Sequence, residues 1–106
     1  MSNMIAAFSI TPIGTGESVG NLVADWIRIV RASGLPNETN AMFTNIEGQW
    51  DEVMAVIKAC VDSMTEVVPR VSVVIKLDHR PGEPGGRIKE KVESVERRLG
   101  RPTRTT

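Results

Sequence analysis

Along positions 4–11 apolar and polar side chains alternate. Ala6, Phe8 and Ile10 share one side of an extended chain, while Ile5, Ala7, Ser9 and Thr11 share the other. The segment reads as a strand with one apolar and one mixed face, ended by Pro12 and the Gly14 and Gly16 pair. Ser18 suits the N-cap of the next element. There Val19, Leu22, Val23, Trp26, Ile27 and Val30 recur at three- and four-residue spacing, the stripe of a helix that stops at Gly34. Residues 37–48 predict two short strands dividing near Ala41, since Asn40, Ala41 and Asn45 all suit a turn. From Trp50 the period is helical again, with Val53, Met54, Ile57, Val61 and Met64 on one face and Asp51 and Glu52 in the first turn, where they complement the macrodipole. Pro69 closes this helix, and residues 71–78 alternate as a strand whose length predicts a central place in a sheet. A Gly/Pro loop over 80–86 leads to a third helix, marked by Ile88, Val92, Val95 and Leu99. That stripe is narrow, which suits packing on a sheet edge or on a neighbouring subunit. Gly100, Arg101 and Pro102 stop it, and residues 100–106 are expected to form a disordered tail.

The order is β-α-β-β-α-β with an added C-terminal helix, an α+β arrangement in which two helices cover one face of a four-stranded antiparallel sheet. The opposite face carries Ile5, Ala7 and Val74 and is too apolar to stand in water. Subunits are therefore expected to pair through it.

A chain of 106 residues has room for one core, and one domain is expected over residues 4–99. With 41% hydrophobic and 25% charged residues, the composition is that of a globular protein. No apolar run is long enough to span a membrane, and no basic region precedes a secretory apolar segment. Cys60 is the single cysteine and forms no internal disulfide, which with the absence of a leader predicts a cytoplasmic protein. Net charge is zero but unevenly spread: residues 1–79 hold five basic and nine acidic side chains, and residues 80–106 eight basic and four acidic. An acidic body without a clustered basic face excludes nucleic acid as its partner, and the arginine-rich end reads as solvated.

Candidate chemistry concentrates in GLPNETNAMFTNIEGQW, residues 34–50, where Asn37, Asn40, Thr44, Asn45 and Glu47 occupy what otherwise reads as strands. Asn is a poor strand former, so the cluster is a set of turns or the wall of a small polar-ligand site, and we favour the latter. His79 and Cys60 are the sole members of their types, too few for a zinc site at fixed spacing, and both read as structural. GTGESVG and PGEPGG lack the following Lys-Ser/Thr pair of a phosphate loop and read as loops. Asp78 and Arg80 suit an ion pair at the end of the last strand.

Three blocks together, ITPIG, GLPNETNAMFTNIEG, and KLDHRPG followed by RIKEKVESVERRL, resemble the small thiamine-binding protein family over nearly all of residues 4–99. The resemblance implies a ferredoxin-like domain assembled as a homodimer or a homotetramer of paired dimers. It also implies binding of thiamine or its hydroxymethylpyrimidine moiety without catalysis; no further cofactor and no metal are expected. One departure stands out: two residues after the Gly-Leu pair relatives commonly carry tyrosine, whereas here it is Asn37, and the chain has no tyrosine. Phe8, Phe43, Trp26 and Trp50, or a neighbouring subunit, are left to supply a stacking ring.

Thiamine joins a cationic thiazolium to an aminopyrimidine, so its receptor needs a carboxylate, paired donors and acceptors, and apolar walls. Glu47 suits the exocyclic amine or a ring nitrogen, Thr44 and Asn40 donate and accept, and Met42 offers a polarizable sulfur. Asn37, Ser9 and Thr11 complete the candidate ligand residues. For Glu47 the competing role is to cap or solvate the start of the second helix. Two other functions compete. One is an oligomeric regulatory or interaction module without a small ligand. The other is an acylphosphatase-like hydrolase, which is weakened because such enzymes place an arginine near the end of the first strand and none occurs here before Arg28.

Overall fold

The structure is a computed structural model that describes residues 2–14, 20–82 and 85–100. Its elements run β1 (Ser2–Ile13), α1 (Gly20–Ala32), β2 (Asn37–Thr39), β3 (Thr44–Gly48), α2 (Trp50–Thr65), β4 (Arg70–Pro81) and α3 (Arg87–Leu99). The four strands form one antiparallel sheet in the order β2-β3-β1-β4, the ferredoxin-like arrangement expected from the chain. The expected N-cap Ser18, the stripe residue Val19, and residues 101–106 of the expected tail lie outside the described residues.

The alternation in β1 sorts its side chains as the sequence requires. Met4, Ala6, Phe8 and Ile10 are buried with Ile46 of β3 against Trp26 and Val30 of α1 and Val53, Ile57, Cys60 and Met64 of α2. Burial of each large apolar side chain contributes about 1.5–3 kcal/mol, so this one face accounts for most of the stabilisation. Phe8 and Trp26 meet at its centre, ring centroids 5.4 Å apart. The Cys60 thiol donates to the Trp26 carbonyl at 3.4 Å, and burial pushes its pKa up to about 11. Cys60 thus packs as a small apolar residue, as expected.

Local signals set the ends of the helices. Gly34 takes a φ of 78°, the left-handed conformation that ends α1, and the Ser33 hydroxyl donates to the Val30 carbonyl at 2.6 Å. At the start of α2 the Glu52 carboxylate accepts the Gln49 N–H at 3.0 Å.

Two expectations are corrected. The last strand is an edge strand, not a central one, because β1 alone lies between β3 and β4. Its length comes from register: Ser2 to Ile13 pair one-to-one with Pro81 to Arg70, so β4 is as long as the strand it copies. The second sheet face is also not bare. The Ile88 and Val92 side of α3 looks onto Ile5 and Ala7 across a cleft, leaving Ile5 buried while Val74 remains 54% exposed. The narrow apolar stripe is thereby divided, since Val95 and Leu99 at its far end stay exposed.

Candidate functional site

The β2–β3 hairpin shapes the core-side end of the sheet. Thr39 and Thr44 face each other across the hairpin with their hydroxyls 3.1 Å apart. Between them Asn40 folds the tip: its Oδ1 accepts the Met42 and Phe43 N–H groups, each at 2.9 Å, and its own N–H donates to the Phe43 carbonyl at 2.9 Å. This turn turns Phe43 back toward α1 and leaves Met42 74% exposed at the rim.

Bordered by the tip, by residues 8–10 of β1 and by Val23, Trp26 and Ile27 of α1 is a half-open cavity of about 190 Å³. Its walls are rings and aliphatics, Phe8, Trp26, Phe43, Ile10 and Val23, with Ser9, Thr39, Asn40, Met42 and Thr44 at the same wall. The Trp26 indole Nε1–H is buried and has no hydrogen-bond acceptor. A buried donor left in this state costs about 1–3 kcal/mol unless something accepts from it. The cavity therefore combines apolar ring surfaces with a hydroxyl pair able to donate or accept, and one of its wall residues, Trp26, carries a buried N–H donor without a partner.

Four of the seven residues expected to bind ligand, Ser9, Asn40, Met42 and Thr44, border this cavity, as do three of the four candidate stacking rings. The others lie elsewhere. Asn37 donates its side-chain amide to the Leu35 carbonyl at 2.9 Å, and Thr11 is exposed on β1 opposite Ser72. Glu47 faces the other side of the sheet, 2% exposed, where its carboxylate accepts the Arg87 N–H at 3.1 Å and the Ile88 N–H at 3.5 Å. It caps the third helix rather than the second, because the chain returns α3 over β3 some forty residues later. Trp50 stands away from the cavity, edge-on to His79 at 5.6 Å. Thr39 escaped the sequence reading; its position directly across the hairpin from Thr44 was the available signal.

A larger cleft, about 470 Å³, lies under α3 on the second sheet face. Ile5, Ala7, Ile88 and Val92 make its apolar surfaces, and Glu38, Asn45, Lys76, Asp78 and Lys91 its polar ones, together with Thr39 and Asn40, which also border the cavity at the hairpin. Asp78 forms ion pairs within the chain, with two residues of α3. It accepts from Lys91 and, at 2.9 Å, from Arg87, and these hydrogen bonds hold its carboxyl below the usual carboxylate range. The cleft is lined by no aromatic ring, which separates it chemically from the cavity at the hairpin.

The model of the thiamine-binding protein family matches residues 6–96. The chain belongs to this family. A UPF0045 protein of Mycobacterium bovis is 54% identical over 101 residues, covering 94% of this chain and 98% of the relative. A UPF0045 protein of Synechocystis is 38% identical over 95 residues, covering 89% and 78% of the two chains. Among solved structures, a hypothetical protein from Methanocaldococcus jannaschii superposes with a TM-score of 0.79 at 33% identity, over 90% of this chain and 97% of the other. A Thermotoga maritima protein, provisionally named for thiamine biosynthesis or salvage, gives a TM-score of 0.76 at 18% identity, over 88% and 98%. At that identity the second superposition speaks to the family's fold alone. Among the described residues no helix is long and apolar enough to cross a membrane.

Proposed function

We propose that the cavity at the hairpin tip receives the aminopyrimidine ring of thiamine, or free hydroxymethylpyrimidine, and that the protein binds this ligand without transforming it. The observation that carries the reading is a ring-walled cavity beside the Thr39–Thr44 hydroxyl pair, one of whose wall residues, Trp26, holds a buried Nε1–H that no group in the chain accepts. A pyrimidine nitrogen is the complementary acceptor, and the exocyclic amine is a donor that a threonine hydroxyl accepts. At about 190 Å³ the cavity is smaller than the roughly 300 Å³ lower end of drug-sized sites, which favours one substituted ring over both rings of thiamine. The family's name and the provisional thiamine salvage name of the Thermotoga neighbour support the ligand class.

Calorimetric titration with hydroxymethylpyrimidine and with thiamine tests the reading. Saturable binding of the pyrimidine, weakened in Trp26→Phe by about fivefold, corresponds to loss of one neutral hydrogen bond of roughly 1 kcal/mol. Absence of heat for both ligands at millimolar concentration refutes it.

Self-association as a homodimer or a pair of dimers is favoured by a different observation. The edge strand β4 exposes Val74, Ile75 and Leu77, and a long apolar edge is a template for pairing with another chain. Light scattering reads this directly, and Ile75→Lys is expected to shift the mass toward the monomer.

A further inference from the structure

A single row of residues lining the cleft under α3 crosses all four strands. Glu38 of β2 stands opposite Asn45 of β3, Asn45 opposite Ala7 of β1, and Ala7 opposite Lys76 of β4. Residues directly opposite on neighbouring strands point to the same side of a sheet, so the four share the face that α3 overlooks. Ala7 is small and leaves room at the middle of the row, with Ile5 beside it and Ile88 and Val92 as the wall. The cleft holds two charges of each sign. Asp78 accepts from Lys91, which leaves Glu38 and Lys76, the two ends of the row, without an ion-pair partner among the described residues. Between them the half-buried Asn45 side-chain amide has no hydrogen-bond partner among the described residues either. Three strand spacings of ~4.8 Å put the Cα atoms of Glu38 and Lys76 roughly 14 Å apart. The two side chains span part of that distance, which leaves the length of a short aliphatic chain between their charged ends. At about 470 Å³ the space falls within the roughly 300–1,000 Å³ range of small-molecule sites. An ion of one sign would meet a like charge at one end of this row, whereas a molecule with opposite charges at its two ends meets an opposite charge at both.

We propose that the cleft under α3 binds a small aliphatic zwitterion, its ammonium end at Glu38, its carboxylate end at Lys76 and its chain across Ala7 against Ile88 and Val92, with the Asn45 amide as a neutral hydrogen-bonding group between the ends. The row lies on the opposite sheet face from the rings of the hairpin cavity, and its occupant carries no ring, so the inference does not rest on pyrimidine binding.

The probe is 6-aminohexanoate, with hexanoate and hexylamine as its single-charge counterparts, each titrated into the full chain labelled with nitrogen-15. Saturable shifts centred on the Ala7, Asn45, Lys76 and Val92 amides are expected with the zwitterion, and each single-charge probe is expected to bind about fivefold more weakly, the scale of one exposed ion pair. Glu38 and Lys76 are exposed, so reversing their charges leaves the core untouched. Glu38→Lys and Lys76→Glu each remove an attraction and add a repulsion, and each is expected to weaken the zwitterion about tenfold. The double variant exchanges the two ends, and affinity is expected to return because the zwitterion then binds the other way round. Absence of saturable shifts overturns the proposal, as do shifts centred on Phe8, Trp26 and Phe43, single-charge probes bound as tightly as the zwitterion, or a double variant that binds no better than either single one.

Discussion

Removing the Glu47 carboxylate is expected to release α3 from the sheet. Glu47 is buried, and both its oxygens are committed to the first amides of α3, one at 3.1 Å and one at 3.5 Å. Only the shorter contact has full hydrogen-bond geometry. A hydrogen bond to a charged acceptor contributes about 1.5–3 kcal/mol, and attraction to the helix N-terminus adds up to roughly 1 kcal/mol. Glu47→Ala is therefore expected to lose about 2–4 kcal/mol, whereas Glu47→Gln keeps one acceptor oxygen of the same shape and is expected to lose about 1 kcal/mol. For a chain of 106 residues each kcal/mol lowers Tm by roughly 4–8 °C, so Ala is expected to cost about 8–32 °C and Gln about 4–8 °C. Urea unfolding supplies the free energies, and hydrogen exchange localises the loss. Protection is expected to fall first over residues 87–99, because few apolar side chains other than Ile88 and Val92 hold α3. A Glu47→Ala variant within about 0.5 kcal/mol of the parent, or with α3 amides protected as before, refutes the clamp.

Further outcomes follow from other contacts. Thr44→Val keeps shape but removes a hydroxyl paired with Thr39, so it is expected to change stability by less than about 1.5 kcal/mol while weakening pyrimidine binding in calorimetry. The folded state holds the Cys60 proton up to about pH 11 against an ordinary value of 9.0, so the unfolded chain binds fewer protons between those values. Stability is accordingly constant below pH 9 with respect to this group and falls by on the order of 2–3 kcal/mol on rising to pH 11, a slope that Cys60→Ala is expected to flatten in urea unfolding. Asp78 has the opposite sign: its lowered pKa gives stability that is present above the ordinary carboxylate range and lost as pH falls through the folded value. Because Asp78 is 41% exposed the effect is small, at most about 1 kcal/mol, and appears as earlier acid loss of α3 protection in the parent than in the pH-insensitive Asp78→Asn.

Periodicity carried the sequence reading a long way. The side-chain alternation in β1, the α1 stripe through Trp26 and Val30 and the turn at Asn40 are all local signals, and each element formed about where they placed it, although β1 runs on through Pro12, expected to end it, to Ile13. What periodicity lacks is neighbourhood. The edge position of β4 depends on which strand β1 chooses as its second partner, and an alternating strand of eight or more residues serves equally at the centre or the edge. Glu47 illustrates the same limit, since its hydrogen-bond donors come from a helix forty residues further on, and nothing in TNIEG announces them. Trp26 shows a subtler one. Its place in an apolar stripe correctly marks it as core, but spacing says nothing about whether a buried indole N–H has found an acceptor. Arg87 was hidden for a related reason: within RIKEKV it looks like one more solvated charge, and only folding buries it against Asp78.

The central claim is that a heteroaromatic ring accepts a hydrogen bond from Trp26 inside the hairpin cavity. The most direct measurement follows the two indole N–H resonances, Trp26 and Trp50, during titration of the labelled protein with hydroxymethylpyrimidine. Saturable downfield movement of the Trp26 signal, with Phe43 and Thr44 amides shifting in step and Trp50 stationary, is the expected result. A Trp26 signal that stays fixed while ligand binds elsewhere, or while no binding occurs at all, contradicts it.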